Sequence, residues 1–368
     1  MHRALFYIPK LDREGPQKVF GVVASHLGDW GVECTVLVHE PGGLAWDTLP
    51  SRVTRYALSV DQRSIPWAAY VRKAREIEPD VIFTTGRTID ISAAARASRV
   101  LKVPLIVRPA NTITSNFREL ARRSMFKHKL AWACSVLSLH AADHIVAQSN
   151  VLQADFYKYS VRKDKITVIG NPVIPSDLEL APRGAAPSSL SLVAIGRLTH
   201  QKGFDILIEA ISRIRKINGK VHLRIVGDGE DRAILEAKIG DLGIGSNVEL
   251  VGYRNDINKI IDSADFVINS SRYEGFPNAA LEALSRGVPV IGVAGVGGIE
   301  ELVITGKTGW IAQSHNSEHI ADAILAASSF DGWSRSEVRR STLEKYNVGT
   351  IVGQYADLIS KMTRLRDK

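Results

Sequence analysis

Four side chains in the second half of the chain have the types and spacing to act on a phosphorylated, hydroxyl-rich ligand. Arg197 and Lys202 share the short loop of GRLTHQKGFDILIEA, and Glu274 and Glu282 flank the Gly-Phe-Pro-Asn turn of RYEGFPNAALEA. Gly196 lets the backbone turn sharply ahead of the cations. Gly203 precedes an amphipathic run with Ile206, Leu207, Ala210 and Ile211, so both cations stand beside a helix N-terminus. Backbone N–H groups and the helix dipole favour negative charge there, and two cations added to them suit a diphosphate. Downstream, Pro277 suits the first turn of a helix and Ala279 and Ala280 permit close approach. Glu274 then projects from the loop while Glu282 lies about five residues into the helix, about 7.5 Å along its axis. Ionised carboxylates accept hydrogen bonds and donate none, which suits sugar or ribose hydroxyls. Taken singly, these residues also have bland readings: basic loop residues are commonly solvated, and glutamates near a helix start favour the dipole without further duty.

The elements that must position these side chains are legible as short apolar runs separated by helical stretches. The first half has ALFYIP, CTVLVH, DVIFTT, PLIVRP, HIVAQS and KITVIG, and the second has LSLVAIG, VHLRIVG, NVELVG, DFVINS and VPVIGV. Runs of this length, rich in Val and Ile and followed by Gly, Ser or Pro, predict parallel strands buried on both faces. An α/β fold is expected, twice over. Ligands of such sheets bind at the carboxyl ends of the strands. At 368 residues the chain exceeds one ordinary core. The Pro/Ala/Gly/Ser stretch LAPRGAAPSS from Leu180 to Ser189 reads as a connector. We therefore expect domains at 1–180 and 181–345, followed by a terminal helix over 346–368 with Ile351, Tyr355, Leu358, Ile359 and Met362 at helical spacing.

Hydrophobic residues at 45% and charged residues at 23% exclude long disorder. No apolar run approaches the roughly 18–20 residues of a membrane span, and the chain enters ALFYI without a signal-peptide pattern, so a cytoplasmic protein is expected. Cys34 and Cys134 lie in apolar surroundings without metal-ligand spacing and read as buried thiols. The net charge of +8 is confined to the first half: Lys and Arg outnumber Asp and Glu 25 to 17 over 1–185 and match them 22 to 22 over 186–368. Such a bias suits nucleic acid, an anionic membrane surface or an acidic substrate. No nucleic-acid-binding signature accompanies it, and no nucleic-acid partner is expected.

Taken together, GRLTHQKG, VGDGEDRAILE, VELVGYRNDI, SSRYEGFPNAALEAL and GVGGIEELVITGKTGW, in this order, resemble the retaining glycosyltransferases of family 4 (group 1), which have the GT-B fold. The resemblance covers roughly Ser189 to Ala312 closely and the first half more loosely, through its strand pattern and HIVAQSNVLQADFYKY followed by KITVIGNPV. It implies two facing Rossmann-like domains with the active site in the cleft between them. The first domain would take the acceptor, the second the nucleotide-sugar donor, and the terminal helix would pack back towards the first. By this resemblance Arg197 and Lys202 would grip the diphosphate and Glu282 the ribose. Glu274 would hold the transferred sugar together with the main chain of Gly275, Phe276, Pro277 and Asn278. Gly252 and Tyr253 would lie beside the base. Arg197, Lys202 and Glu274 are the catalytic candidates.

Two departures stand out. The loop after the first strand usually carries paired glycines near the phosphates, and here DREGPQ keeps only Gly15 as a donor contact. A histidine frequent after the strand corresponding to PLIVRPANT is absent, leaving Arg108 and Asn111 either to contact sugar or acceptor or merely to shape the loop. No Asp-x-Asp pair falls at a strand end, and two cations make a divalent ion redundant, so neither metal nor other cofactor is expected.

The donor is expected to be a UDP-sugar, with GDP the alternative, and the acceptor a glycan or lipid-linked glycan of lipopolysaccharide or polysaccharide biosynthesis. In NFRELARRSMFKHKLAWACSVL, Arg118, Arg122, Arg123, Lys127 and Lys129 interleave with Phe117, Leu120, Met125, Phe126 and Trp132. That pattern suits either an anionic membrane face, which would make the enzyme peripheral, or a solvated helix with an apolar core side. A nucleotide-sugar epimerase of the same architecture explains the two-glutamate pattern poorly. A non-catalytic nucleotide-sugar sensor would tolerate loss of Arg197, Lys202 or Glu274.

Overall fold

The structure, a computed structural model, describes residues 1–11, 15–59, 67–86, 88–114, 125–175, 189–218 and 220–366. The chain divides into two compact units, Met1–Pro172 with Tyr346–Lys368, and Val173–Lys345. Most of the connector read at Leu180 to Ser189 lies outside the described residues.

The first unit holds seven parallel strands: β1 (His2–Tyr7), β2 (Val32–Val38), β3 (Thr54–Ala57), β4 (Val81–Thr84), β5 (Leu105–Val107), β6 (His144–Ala147) and β7 (Ile166–Val168). Their order is β3-β2-β1-β4-β5-β6-β7. Because side chains alternate across a strand, β1 sends Ala4 and Phe6 into one core cluster and Leu5 and Tyr7 into another on the opposite face. The first face is covered partly by the terminal helix Val348–Arg366, whose Ile351, Tyr355, Leu358, Ile359 and Met362 are all buried in that cluster. Tyr355 meets Phe83 edge-on, with ring centroids 5.6 Å apart.

The second unit holds β8 (Leu190–Ile195), β9 (Val221–Val226), β10 (Val248–Gly252), β11 (Phe266–Ile268), β12 (Val290–Val293) and β13 (Gly309–Ala312), again parallel. Their order is β10-β9-β8-β11-β12-β13. The chain moves outward from β8 in one direction through β9 and β10, then returns to lay β11 on the other side of β8. The sheet therefore reverses its winding between β8 and β11, where Leu192 pairs with Phe266 and Val193 with Val267. At such a reversal the loops leaving the two strands diverge and open a crevice at the carboxyl ends. Arg197 and Lys202 follow β8, and Glu274 follows β11.

Among the described residues no helix is long and apolar enough to cross a membrane. Both cysteines are free thiols; Cys34 is buried, whereas Cys134 is only partly so. Burial and the neighbouring Glu33 carboxylate push the Cys34 thiol up to about 12, while Arg52 opposes them.

Candidate active site at the switch point of the second sheet

Leaving β8, the backbone is extended at Gly196 (φ +158) and takes a left-handed glycine conformation at Gly203 (φ +65), with the 3-10 turn His200–Lys202 between them. Gly203 has little freedom to be anything else. A Cβ there would stand 2.2 Å from the Ser270 carbonyl oxygen, so only glycine allows the two loops to lie this close. Arg272 reinforces the junction by donating to the His200 carbonyl (2.7 Å) and through two nitrogens to the Asp205 carboxylate (2.8 and 2.7 Å). Burial pushes Asp205 up, but the Arg272 guanidinium outweighs it and holds the carboxyl below the ordinary aspartate range.

This packing brings Lys202 and Glu274 into contact. Lys202 Nζ donates to Glu274 Oε1 at 2.8 Å, and the same oxygen accepts from Ser271 Oγ at 2.5 Å and Asn269 Nδ2 at 3.1 Å. Both side chains are largely shielded, with 19% of Lys202 and 8% of Glu274 exposed. Three donors on one oxygen fix the carboxylate's orientation. Glu274 Oε2 accepts no hydrogen bond from a described residue, which leaves it open to a ligand hydroxyl. The ammonium has three N–H groups and gives one to Glu274, so two remain for an anion. Asn269 Oδ1 is buried at the same place without a partner. The opposite side of Glu274 is closed by Gly297 (φ +55), where a Cβ would stand 2.8 Å from Glu274 Cβ.

The other candidates are placed as follows. Arg197 is exposed in the turn after β8, and among the described residues its guanidinium has no hydrogen-bond or ion-pair partner. Gly275, Phe276 and Pro277 are buried behind Glu274, and Asn278 is half-buried. Pro277 caps the helix Asn278–Ser285 from outside rather than sitting in its first turn, and Glu282 is half-buried as the fifth residue of that helix. Gly252 (φ +79) ends β10 at a register shift and its carbonyl accepts from Gly227 N at 2.9 Å, while Tyr253 is exposed.

Three candidates belong to the first unit. Gly15 (φ +54) opens the helix Gly15–His26, and the preceding loop residues 12–14 lie outside the described residues. Asn111 is half-buried. Arg108 is 1% exposed; Nε donates to Tyr355 Oη at 3.2 Å, Nη2 donates to Asn171 Oδ1, and Nη1 is buried without a partner. Of the proposed membrane segment, Phe117, Arg118, Leu120, Arg122 and Arg123 lie outside the described residues. Met125, Phe126, Lys127 and Lys129 fall in the helix Met125–His140.

The sequence reading missed Asn269, Ser271, Arg272 and Gly297. A signal for the first two was present: Asn-Ser-Ser directly after the apolar FVI of β11 puts polar side chains at the carboxyl end of a buried strand, where ligand sites of such sheets form.

Residues 181–338 match the family model of glycosyl transferases group 1, and residues 14–177 match that of Glycosyltransferase Family 4. An uncharacterized glycosyltransferase of Methanocaldococcus jannaschii is 29% identical over 237 residues, 60% of this chain and 60% of that protein. The amylovoran biosynthesis glycosyltransferase AmsK of Erwinia amylovora is 30% identical over 173 residues, 45% of this chain and 42% of that protein. The matches thus span less than two thirds of either relative. In three dimensions, Anabaena HepE, solved with UDP and glucose, superposes with a TM-score of 0.75 at 20% identity, covering 98% of this chain and all of that one. With family models matched in both halves and this architecture over nearly its full length, the chain belongs to the GT-B glycosyltransferases.

Proposed function

We propose that this chain is a retaining glycosyltransferase that moves a sugar from a UDP-linked donor to a glycan or lipid-linked glycan in polysaccharide or lipopolysaccharide biosynthesis. The observation that carries the reading is the Lys202–Glu274 contact at the winding reversal of the second sheet. It joins a cation with two unused N–H groups to a carboxylate with one open oxygen, and these complement a leaving diphosphate and the hydroxyls of the sugar attached to it. The UDP and glucose bound by HepE and the amylovoran role of AmsK support the donor and acceptor classes.

Glycosyl transfer builds negative charge on the leaving diphosphate while the sugar carbon becomes cation-like. Fixed cations answer the first change without reorganising. In this reading Lys202 and Arg197 stabilise the departing phosphates and need no metal beside them. Glu274 Oε2 orients the sugar, and Glu282 holds the ribose. The acceptor attacks from the face the diphosphate leaves, which preserves the anomeric configuration without a protein nucleophile; a covalent glycosyl-enzyme detected by mass spectrometry refutes that route.

The test is release of UDP or GDP across a panel of nucleotide sugars, with and without acceptor. Lys202→Ala and Arg197→Ala are each expected to cut turnover by about a hundredfold, the scale of losing one charge-stabilising donor. Near-normal turnover in either variant removes the assignment. The helix Met125–His140 exposes Trp132 and Leu137, and with Lys127 and Lys129 on the same helix this supports a peripheral site on an anionic, cytoplasmic membrane face. Absence of binding to anionic vesicles at low salt removes the membrane part alone.

A further inference from the structure

We propose that His315 is a positioning residue for the Lys202–Glu274 pair, a role that rests on the transfer reaction proposed above. It comes from the loop after β13, which the sequence reading assigned no part in the site. His315 Nε2 lies 2.6 Å from the Ser270 carbonyl oxygen. A carbonyl can only accept, so Nε2 carries the proton and donates.

The significance lies in what the two side chains flanking that carbonyl hold. Ser270 Oγ donates to the Lys202 carbonyl at 2.9 Å, and Ser271 Oγ donates to Glu274 Oε1 at 2.5 Å. The peptide joining Ser270 to Ser271 therefore grips the backbone of the cation with one hydroxyl and the carboxylate with the other. His315 fixes the third polar feature of the same segment. Ser270 is 1% exposed, so its carbonyl cannot turn to solvent for a substitute donor. The packing is tight on the remaining side: a Cβ on Gly203 would stand 2.2 Å from the Ser270 oxygen and 2.9 Å from His315 Nε2.

The loop that presents the imidazole is itself braced. Asn316 caps the helix Ser317–Ser328, accepting from the His319 amide at 2.7 Å, and Asn316 Nδ2 donates to Ser314 Oγ at 3.0 Å. Ser314 Oγ in turn lies 2.9 Å from His319 Nδ1. His315 thus stands between two residues anchored to a helix start, with its ring directed at the Ser270 carbonyl. It contacts neither Lys202 nor Glu274 by hydrogen bond among the described residues and acts through the main chain that orients them.

Two substitutions separate this role from simple packing. His315→Leu fills similar space without a donor, and His315→Gln can place an N–H near the Nε2 position. For His315→Leu, kcat for donor turnover is expected to fall on the order of 10²-fold, the scale of a displacement of about 1 Å at reacting groups, with a smaller change in donor KM. His315→Gln is expected to restore most of kcat. In parallel, amide hydrogen exchange over 196–203 and 269–275 is expected to accelerate in the leucine variant and to stay near wild type in the glutamine variant. A folded leucine variant with wild-type kcat and exchange overturns the proposal, as does a glutamine variant as impaired as the leucine one. Should the leucine variant fail to fold, the glutamine variant decides alone: near-wild-type kcat supports the role and a large loss overturns it. If the wild-type protein turns over no nucleotide sugar at all, the proposed reaction falls, while the exchange measurements still decide what His315 holds.

Discussion

Neutralising Lys202 and Glu274 singly and together tests whether the central contact is a coupled pair. At 2.8 Å, two unit charges interact by about 6 kcal/mol at an effective dielectric of 20, before desolvation is subtracted. Removing one partner of a buried pair costs about 3–5 kcal/mol, mostly because the other charge is left uncompensated. Lys202 retains 19% of its side-chain exposure, so the lower end, about 3 kcal/mol, is the expectation for Glu274→Gln. Lys202→Met leaves the carboxylate with only Ser271 and Asn269 as donors, and a cost of about 2–3 kcal/mol is expected by the same reasoning.

In a unit of this size about 1 kcal/mol moves Tm by about 2–4 °C, so the glutamine variant should lower the second unit's transition by about 6–12 °C. In the double variant neither charge remains to be stranded, and its loss should be no greater than that of either single variant, a coupling of at least about 3 kcal/mol. Scanning calorimetry reads the transitions, and amide exchange at Ser271 and Glu274 gives local values that do not assume both units melt together. Donor turnover should stay low in the double variant although its stability recovers, since the proposed reaction needs both charges and the fold needs only their balance. Additive losses, or single variants that melt at the wild-type temperature, refute the reasoning.

Two further predictions use other parts of the chain. Burial and the Lys361 charge lower the His144 pKa to about 4 in the fold despite the opposing Asp164. The unfolded imidazole binds its proton near pH 6.5, so this contribution is complete above that value and lost as pH falls from about 6.5 to about 4. The first unit of wild type should therefore lose Tm over that window more steeply than His144→Gln; parallel profiles count against it. At Gly297, alanine combines a left-handed backbone (φ +55) with a Cβ 2.8 Å from that of Glu274. Gly297→Ala should lower the second unit's Tm and displace Glu274 enough to cut turnover, and wild-type values of both refute the contact.

The sequence made the fold legible where burial forces a pattern. Eleven strands lie in apolar runs that a sheet covered on both faces requires. The two that escaped, β3 and β13, are edge strands, TRYA and GWIA, whereas the edge strands β7 and β10 kept readable apolar runs. Thr54, Arg55 and Tyr56 of β3 are exposed, and no hydrophobic run marks them. In β13, a starting glycine is required because a Cβ on Gly309 would stand 1.8 Å from the Val290 carbonyl. That glycine reads as a loop residue when the partner strand is unknown.

The same division governs the site. Lys202 and Glu274 were legible because charged residues in glycine-rich loops after apolar strands have few structural reasons to be there. Much of what held them in place was not legible, because it is made of contacts between distant loops: Gly203 admits the Ser270 carbonyl from 67 positions away, and His315 reaches that carbonyl from 45 positions further on. A serine, a glycine and a histidine in loops carry no periodic signal, and each has many bland uses. Only the strand order, which sets β8 beside β11 although two strands, β9 and β10, lie between them in the chain, turns these residues into neighbours. The candidate side chains were therefore legible by type, whereas their placement depends on topology, and under the proposed function variants in the supporting loops should change rate more than they change which ligand binds.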